Sequence, residues 1–361
     1  MKVFFLIPYP LHHSPSQRFR FEQYFDILRQ AGITYHTQSF WDIQSWKILY
    51  KRGHQSAKVL GFMRGFLRRL FVLFKLVNVD FVFIHRECMP VGPPILEWFI
   101  ARVLHKKIIY DFDDAIWLPN TSAENKLAAF IKWHSKTNAI CRWSYTVSCG
   151  NDFLADHARN FNAKVVTLPT TIDTQLHNPL LRNKSQSSDK PIVIGWTGSH
   201  STLKYLYNLV PVLQRIENKY ADRILFLIIA DKDPLINLKQ LEFLPWKKET
   251  EIKDLSQFDI GIMPLPDNIW TKGKCGFKAL QYMALEIPAV VSPVGVNLKI
   301  IQDNVNGFLA ATEEEWVTKL SQLIEQPDLR DRLGKSGCHT VVNHYSVKSQ
   351  QQKYLDLFKI D

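Results

Sequence analysis

The sequence predicts an α/β protein of two domains, each built around a parallel β-sheet. Its 361 residues exceed what a single hydrophobic core usually holds. Short apolar runs typical of buried strands alternate with stretches in which apolar residues recur at helical spacing. A polar, Ser-rich segment bounded by prolines, Asn178 to Pro191, is typical of an interdomain linker. We therefore expect one domain over residues 1–180, a linker over 181–191, a second domain over 192–340 and a C-terminal helix over 341–361.

The charge balance favours an anionic partner. Lysine and arginine total 45 against 34 aspartates and glutamates, so the formal net charge is +11. Nucleotide phosphates, an anionic membrane surface and nucleic acid are the partner classes that such a charge attracts. The basic residues are not interleaved with aromatic residues on a recognisable nucleic-acid-binding motif, so we expect no nucleic acid.

Cysteine usage and the N-terminus indicate a cytoplasmic protein. The five cysteines are odd in number, widely spaced and without a Cys-x-x-Cys pair, which argues against a disulfide framework and a zinc site. Lys2 is followed by the apolar run Val3–Ile7, which is too short for a signal peptide. No apolar run reaches the length of a membrane span. We expect a protein that is neither exported nor threaded through a bilayer.

The first half opens with a β-α pattern. Val3–Ile7 has the composition of a buried strand, and after a loop over Pro8–Gln17 a helical pattern runs to Gly32. The alternation that follows predicts a parallel sheet. Its further strands are expected at Asp80–Ile84, Lys107–Tyr110, Tyr145–Ser148 and Val165–Leu168, with helical stretches that include Pro94–Val103 and Lys126–Ile140.

Two polar clusters in this half follow predicted strands, where the binding site of an α/β domain usually lies. One is His85-Arg86-Glu87, and the other is the run from Asp111 to Asp114. Three carboxylates after a strand invite a divalent-metal interpretation, because carboxylates are ligands for hard cations. The alternative is that one of these aspartates pairs with Arg86 or with Arg18.

The loop after the first strand carries Ser14, Ser16 and Arg18. These side chains are either contacts for a ligand or an ordinary helix cap followed by a surface arginine. The sequence leaves both interpretations open.

The stretch from Ala57 to Leu76 predicts an amphipathic helix without an acidic residue. One half of the helix is apolar, and the other carries Gly61, Gly65 and a row of cations. An all-basic face suits an anionic lipid surface. The alternative is a helix whose apolar half packs against the sheet. The predicted membrane contacts are Arg64, Arg68 and Arg69.

The second half is organised around the segment from Phe258 to Gly295. It is predicted to form a strand, a polar loop, a helix that begins at Gly276 and another strand. A helix that opens after a strand points unpaired N–H groups and its positive dipole end at the sheet edge, where anions bind. Lys274 precedes this helix and Lys278 lies in its first turn, so the sequence predicts a diphosphate site. Gln281 follows on the same face and suits sugar hydroxyls.

Another loop of this kind follows the predicted strand Ile192–Gly195. This loop contains Gly198 and Ser199, and Lys204 follows them at the start of a second amphipathic helical pattern. The alternative is a simple glycine-containing turn before a helix. A further strand is expected at Ile224–Ala230.

These strings resemble the donor half of the retaining GT-B glycosyltransferases of family four, "glycosyl transferases group 1". The likeness includes FDIGIMPL, a helix that ends in YMA, IPAVVSPVG and DNVNGFLA, and YDFDDAIW and VVTLPTTID resemble stretches of the family's first domain. The family has paired glutamates where this chain has Gly273 and Gln281, and an arginine where it has Ser199. Gln281 keeps the capacity to bind a ribose, whereas a hydroxyl does not replace a bidentate guanidinium.

The resemblance implies a GT-B fold, in which two Rossmann-like domains face each other across a cleft and the last helix crosses back to the first domain. It implies transfer of a sugar, with retention of configuration, from a nucleotide diphosphate sugar to an acceptor hydroxyl in surface polysaccharide or glycolipid synthesis. It implies no cofactor and no metal ion, because the family stabilises the leaving diphosphate with basic groups and helix dipoles. A glycan or lipid-linked acceptor would be met by a cytoplasmic protein, peripheral on the inner face of the cell membrane.

Residue roles follow from the residues and the resemblance together. The predicted catalytic residues are Lys204 and Lys278, which stabilise the departing diphosphate, and Asp113, which orients the acceptor or steadies positive charge on the sugar. The predicted donor contacts are Gly198, Ser199, Lys274, Gly276, Phe277 and Gln281, and the predicted acceptor-side residues are Ser16, Arg18, His85, Arg86 and Asp111.

The alternatives to glycosyl transfer are a non-catalytic binding protein and an oxidoreductase. The missing glutamates leave open a non-catalytic fold-mate that binds a nucleotide or glycan as a partner subunit. A nicotinamide-dependent oxidoreductase is disfavoured, because no predicted strand is followed by Gly-x-Gly-x-x-Gly.

Overall fold

The computed structural model describes residues 1–51, 53–119, 132–182 and 190–360. They form two compact units. The first comprises Met1–Thr170, Gly273–Cys275 and Gln350–Asp361, and the second comprises Thr171–Lys272 and Gly276–Ser349. Residues 183–189 of the predicted linker and residues 126–131 of a predicted helical stretch lie outside the described residues. The domain limits expected from the sequence stay predictions.

The described strands of the first unit form one parallel sheet. They are β1 (Lys2–Ile7), β2 (Thr34–Ser39), β3 (Phe81–His85), β4 (Lys107–Phe112), β5 (Thr146–Cys149) and β6 (Val165–Thr167). Their order is β2-β1-β3-β4-β5-β6, so the chain direction across the sheet reverses between β1 and β3, where α/β proteins open a binding crevice. The strands predicted from apolar runs are each confirmed to within two residues.

Helices cover the strands of the first unit. They are α1 (Pro15–Arg18), α2 (Phe25–Gln30), α3 (Ile43–Leu49), α4 (Gln55–Leu76), α5 (Ile95–Arg102), α6 (Lys136–Trp143) and α7 (Asp152–Arg159), with a 3₁₀ turn at Glu22–Tyr24. Aromatic rings dominate the core on one side of the sheet. Phe5 of β1 lies against Phe83, with ring centroids 4.8 Å apart, and Tyr354 from the C-terminal segment stacks on Tyr24 at 4.1 Å.

The described strands of the second unit form another parallel sheet. They are β7 (Ile192–Gly198), β8 (Ile224–Ala230), β9 (Leu241–Pro245), β10 (Ile260–Met263), β11 (Ala289–Val291) and β12 (Phe308–Leu309). Their order is β12-β11-β10-β7-β8-β9. The crossover between β9 and β10 places the carboxyl ends of β7 and β10 side by side, and the segments that follow these two strands carry most of the predicted donor contacts.

The helices of the second unit enclose its core. They are α8 (Leu203–Tyr207), α9 (Val210–Tyr220), α10 (Glu251–Leu255), α11 (Ile269–Lys272), α12 (Phe277–Ala284), α13 (Asn297–Ile300), α14 (Glu313–Glu325) and α15 (Pro327–Thr340), and the final helix α16 (Val347–Asp356) begins in this unit and ends in the first. Trp196, Phe226 and Ile260 from the sheet pack with Leu213 and Leu320 from the helices.

Helix α4 buries the half that carries its glycines and exposes its apolar half. Its buried side consists of Gly61, Gly65, Arg69, Val72 and Leu76, so the interpretation that packs the apolar half against the sheet is wrong, and the lipid-surface interpretation stays a prediction. A Cβ on Gly65 would lie 2.7 Å from the backbone oxygen of Phe40, which shows how closely the helix approaches its neighbour. The apolar half points outward.

The predicted membrane contact at Arg69 is wrong. Its side chain is 1% exposed, and its guanidinium donates to the backbone oxygens of Ile7, Gln38 and Cys88. Burial lowers the pKa of Arg69 to about 10. Arg68 donates to the oxygen of Phe40, and Arg64 is exposed at the border of the apolar face. In the described part of the chain, no helix is both long and apolar enough to cross a bilayer.

Candidate functional site

A buried carboxylate at the end of β4 organises the polar edge of the first unit. Asp111 pairs with the guanidinium of Arg20, accepts a hydrogen bond from Ser148 Oγ at 2.8 Å, and lies 2.9 Å from His85 Nδ1. Burial alone would raise the pKa of Asp111, but the charge of Arg20 and the hydrogen bonds from His85 and Arg20 hold that pKa well below its usual range. Asp111 is therefore a fixed anion that orients its neighbours.

His85 is held in this network by one ring nitrogen only. The residue is fully buried, and its ring packs 5.3 Å from that of Phe21. Among the described residues, Nε2 has no hydrogen-bond partner although it is buried. A buried ring nitrogen without a partner is costly, so it marks a place where a ligand hydroxyl or a water is expected.

Arg86, which follows β3, forms hydrogen bonds with both Asp113 and Asp114. Its guanidinium donates to Asp113 Oδ1 at 2.7 and 2.9 Å and to Asp114 Oδ2 at 2.8 Å. Arg86 has a φ of +62°, a left-handed conformation that is uncommon for residues other than glycine and concentrates at functional sites. The ion-pair alternative considered for the aspartate run therefore holds for Asp113 and Asp114.

Lys274 completes this cluster. The tripeptide Gly273–Cys275 belongs to the first unit, where Lys274 Nζ lies 2.7 Å from Asp114 Oδ1 and Asn151 donates to the Lys274 backbone oxygen at 2.9 Å. Burial would raise the pKa of Asp114, but Lys274 and Arg86 lower it. Each acid from Asp111 to Asp114 thus faces a cation. Within the described residues, no three His, Cys, Asp or Glu side chains form a group that could hold a metal ion.

The loop after β1 buries one of its predicted contacts, Ser14, and leaves Ser16 and Arg18 partly exposed. Ser14 Oγ and Ser16 Oγ lie 2.9 Å apart, and neither serine caps a helix through its side chain. The guanidinium of Arg18 lies 4.9 Å from the ring centre of Phe19. The sequence interpretation missed Arg20, which stands two residues later and makes the buried contact to Asp111. Arg20 lies three residues beyond the predicted loop Pro8–Gln17, and nothing in the sequence distinguished it from the charged residues around it.

A small cavity opens beside Arg86 in the first unit. Tyr9, Glu87, His134 and Lys136 line it together with Arg86. Lys136 Nζ lies 2.6 Å from Glu87 Oε2, so one cation and one anion of the lining neutralise each other. The cavity is therefore polar and mixed in charge.

In the second unit, the loops after β7 and β10 bring several predicted donor contacts to one sheet edge. Gly198 ends β7, and Ser199 and Thr202 cap each other across the turn that follows. Helix α12 begins beyond Gly276, which has a φ of +68° and leaves no room for a side chain beside Ile300. Phe277 is the first residue of α12 and is half-buried.

The two predicted catalytic lysines of this unit both lie near aromatic rings. Lys278 Nζ, in the first turn of α12, lies 5.5 Å from the ring centre of Trp196 in β7. Lys204 Nζ lies 5.3 Å from that of Tyr205 and is exposed. Since β7 and β10 are paired neighbours, both lysines belong to the same polar edge.

Gln281 lies one turn into α12 and is buried. Its amide nitrogen is 3.4 Å from Glu251 Oε1 and 3.4 Å from His177 Nε2. Glu251, the first residue of α10, is itself buried and was not singled out from the sequence, because it sits among other charged residues. The carboxylate that Gln281 lacks is thus present beside it on another element.

The second half of the chain matches one family model. Residues 178–339 match the model described as "Glycosyl transferases group 1". A comparison with curated protein sequences finds no match.

Solved structures resemble the chain over nearly its whole length. Sucrose-phosphate synthase from Thermosynechococcus elongatus is 12% identical with a TM-score of 0.71, covering 99% of this chain and 98% of that one. A glycosyltransferase from Rickettsia africae is 15% identical with a TM-score of 0.71, covering 99% and 97%. HepE from Anabaena, solved with UDP, is 13% identical with a TM-score of 0.64, covering 99% of both chains. At these identities the likeness concerns the fold, and it confirms the predicted α/β class with two Rossmann-like domains.

Proposed function

We propose that this chain, whose residues 178–339 match the glycosyl transferases group 1 model, moves a sugar from a nucleotide diphosphate sugar to an acceptor hydroxyl. The observation that carries the proposal is the edge of the second sheet formed by the neighbouring strands β7 and β10. There the N-terminus of α12 presents backbone N–H groups, and Lys204 and Lys278 add two positive charges. Such an edge suits a diphosphate.

The same charges would assist the reaction. When the bond from the sugar to the diphosphate breaks, negative charge grows on the leaving phosphate oxygens. Lys204, Lys278 and the dipole of α12 bind that growing charge more strongly than they bind the intact donor, and this difference lowers the barrier. The leaving phosphate can then accept the proton of the acceptor hydroxyl. The acceptor oxygen forms its bond to the anomeric carbon on the face that the diphosphate leaves, so the step requires no separate base and would retain the configuration.

Gln281 and Glu251 would hold the ribose of the donor. Both side chains are buried next to each other behind the first turn of α12, and together they offer an amide and a carboxylate to vicinal hydroxyls. HepE, a structural neighbour, was solved with UDP and with UDP-glucose. A uridine diphosphate sugar is therefore the first donor to test.

The polar edge of the first unit would receive the acceptor. His85 Nε2 is one of the buried polar atoms that lack a hydrogen-bond partner among the described residues, and Asp111 fixes the orientation of its ring. We assign His85 to a hydrogen bond with the acceptor or with a sugar hydroxyl. Arg86 holds Asp113 in place through two hydrogen bonds, so Asp113 would orient the acceptor as an anion.

We also propose that the reaction needs no metal ion. The lysines and the start of α12 would supply the positive charge that a divalent ion supplies in other enzymes. The acids after β4 are engaged by Arg20, Arg86 and Lys274. We place the reaction in surface polysaccharide or glycolipid synthesis, in the cytoplasm or on the inner face of the cell membrane.

The departures at Gly273 and Gln281 favour one rival, a protein that binds the nucleotide sugar without turning it over. A panel of UDP, GDP, ADP and dTDP sugars separates the two. Glycosyl transfer predicts slow release of the nucleoside diphosphate from one donor without acceptor, and a new glycan mass when a lipid or glycan extract is added. Binding of a donor without release or transfer would favour the rival, and failure to bind any nucleotide sugar would reject both.

A further inference from the structure

Helix α4 presents a continuous apolar surface to solvent. We call it the outward face of α4 and define it by eight side chains, each at least one-third exposed: Val59, Leu60, Met63, Leu67, Leu70, Phe71, Phe74 and Val77 just beyond the helix. Phe71 is 67% exposed and Phe74 is 78% exposed. A patch of this kind on one helix marks an interaction site, because isolated globular proteins rarely expose so much contiguous apolar area.

The orientation of α4 is fixed by its buried side. Glycines at 61 and 65 let the helix approach its neighbours closely, and Arg69 donates three backbone-directed hydrogen bonds from that side. The exposed side is therefore the one opposite to Arg69. Turning the apolar residues inward would require the loss of the contacts of Arg69.

Positive charge borders the outward face. Arg64 and Lys75 are exposed along one side of it, and Arg68 is partly exposed beside them. The segment Gln55–Leu76 contains no aspartate or glutamate. Lys47 and Lys51, which precede the helix, are also exposed. Asp42 lies 3.5 Å from Arg68, so Arg64 and Lys75 carry the positive charge of the border. An apolar face with a basic border is complementary to an anionic bilayer surface, where cations meet lipid phosphates and apolar side chains enter the acyl boundary.

Neighbouring elements of the first unit also expose large side chains. Helix α5 packs against α4 and exposes Trp98 and Ile95, and Tyr50 at the end of α3 is exposed as well. Tryptophan and tyrosine are enriched at the level of lipid headgroups because one end of each side chain is apolar and the other polar. The helix itself is about 33 Å long, so it would lie along the surface.

From these observations we propose that the outward face of α4 binds the surface of an anionic phospholipid membrane, with Phe71 and Phe74 inserted and with Arg64 and Lys75 on the headgroups. A second copy of the chain fits less well, because α4 supplies no carboxylate to neutralise the basic border of a partner helix. The contact differs from the one expected from the sequence, since the apolar half and not Arg69 meets the lipid. It requires no turnover and so stands apart from the proposed transfer.

The test is co-sedimentation of the whole chain with vesicles. We expect binding to phosphatidylcholine vesicles that contain phosphatidylglycerol, weak binding to phosphatidylcholine alone, and release from the anionic vesicles at high salt. The double variant Phe71→Ser/Phe74→Ser is expected to reduce partitioning by about tenfold or more, because it removes two inserted rings. Arg64→Glu/Lys75→Glu is expected to reduce binding to anionic vesicles by about tenfold or more.

Matched controls use exposed residues of the second unit. Leu298→Ser replaces a side chain that is 56% exposed, and Lys335→Glu/Lys348→Glu makes the same change in net charge as the α4 charge variant. Both controls are expected to bind like the unsubstituted chain. All variants are expected to keep the thermal midpoint, because the substituted side chains are exposed.

Three results would overturn the proposal. The first is no binding to anionic vesicles by the unsubstituted chain. The second is equal binding by the Phe71→Ser/Phe74→Ser variant. The third is a dimer in solution that this variant dissociates while vesicle binding is absent, which would assign the face to a second copy.

Discussion

The ammonium of Lys274 lies 2.7 Å from a carboxylate oxygen of Asp114 inside the first compact unit. Arg86 reaches the other oxygen of the same carboxylate at 2.8 Å. The lysine expected from the sequence to steer the donor phosphates is therefore already part of an ion-pair network. Its role at the donor stays a prediction, whereas its structural role can be measured directly.

The Lys274–Asp114 pair is expected to stabilise the fold. Both side chains are about three-quarters buried or more, so the attraction is only partly screened by solvent. In a double-mutant cycle with Lys274→Met and Asp114→Asn, we expect a coupling free energy of about 1–3 kcal/mol from urea unfolding. A coupling near zero would mean that the pair does not persist in solution.

The Asp111 carboxylate is expected to make the stability of the fold depend on pH in the acidic range. Its folded pKa lies well below the unfolded value, so its contribution is fully present above about pH 4 and is lost as the pH falls toward the folded pKa. Asp111→Asn also leaves Arg20 buried without its anion, which we expect to cost about 3–5 kcal/mol at pH 7.

The measurement for this prediction is urea unfolding from pH 7 down to pH 3. The difference in unfolding free energy between the unsubstituted chain and Asp111→Asn is expected to narrow below about pH 4. Asp156→Asn, at an exposed carboxylate, serves as the control. A difference that stays constant over the whole range would contradict the assignment of Asp111 as the buried anion.

The orientation of α4 predicts a large loss of stability for one substitution and almost none for another on the opposite side of the helix. Gly65→Ala places a methyl group 2.7 Å from the Phe40 backbone oxygen and is expected to destabilise the fold by about 1–3 kcal/mol. Leu67→Ala removes an exposed side chain and is expected to change stability by less than about 0.5 kcal/mol. Thermal or urea unfolding of the two variants measures these changes in stability. A large loss from Leu67→Ala with tolerance at Gly65 would mean that the apolar half is buried.

Transfer is expected to survive metal chelation. Lys204, Lys278 and the start of α12 supply positive charge at the proposed donor site, and the acids after β4 face cations. Activity in EDTA is expected to equal activity in magnesium. Loss of activity in EDTA with recovery on adding magnesium or manganese would give the acids from Asp111 to Asp114 a metal-binding role.

The strands that sequence patterns missed are edge strands. The interior strands β1, β3, β4, β7 and β8 are continuous apolar runs because both faces of a parallel sheet are covered. By contrast, β2 has the sequence TYHTQS and β9 the sequence LEFLP, and both are half-exposed at a sheet edge. Without a buried second face, their composition does not differ from that of a loop.

Helix α4 illustrates a different limit of sequence reasoning. Helical periodicity separated its apolar half from the half with Gly61, Gly65 and Arg69, and the structure keeps that division. Periodicity does not say which half faces the sheet. The outcome depends on backbone oxygens from β1 and β2 and from Cys88 that accept the hydrogen bonds of Arg69, and these acceptors are brought together only by the folded chain.

The sequence predicted those parts of the candidate site in which polar residues directly follow a strand. The clusters at His85 and at Asp111 and the helix start at Gly276 were found in this way. Arg20 and Glu251 were not, because each lies among other charged residues and acquires its role by burial beside Asp111 or Gln281.

The most direct test of the account is the rate of nucleoside diphosphate release from the preferred donor, compared between the unsubstituted chain, Lys278→Ala and Lys335→Ala. Lys335 is an exposed helical lysine of the same unit and controls for the loss of one charge. We expect Lys278→Ala to lower turnover by about tenfold to a thousandfold, with little change in thermal midpoint, and Lys335→Ala to match the unsubstituted chain. Equal turnover in all three proteins would remove Lys278 from the reaction and contradict the proposed donor site.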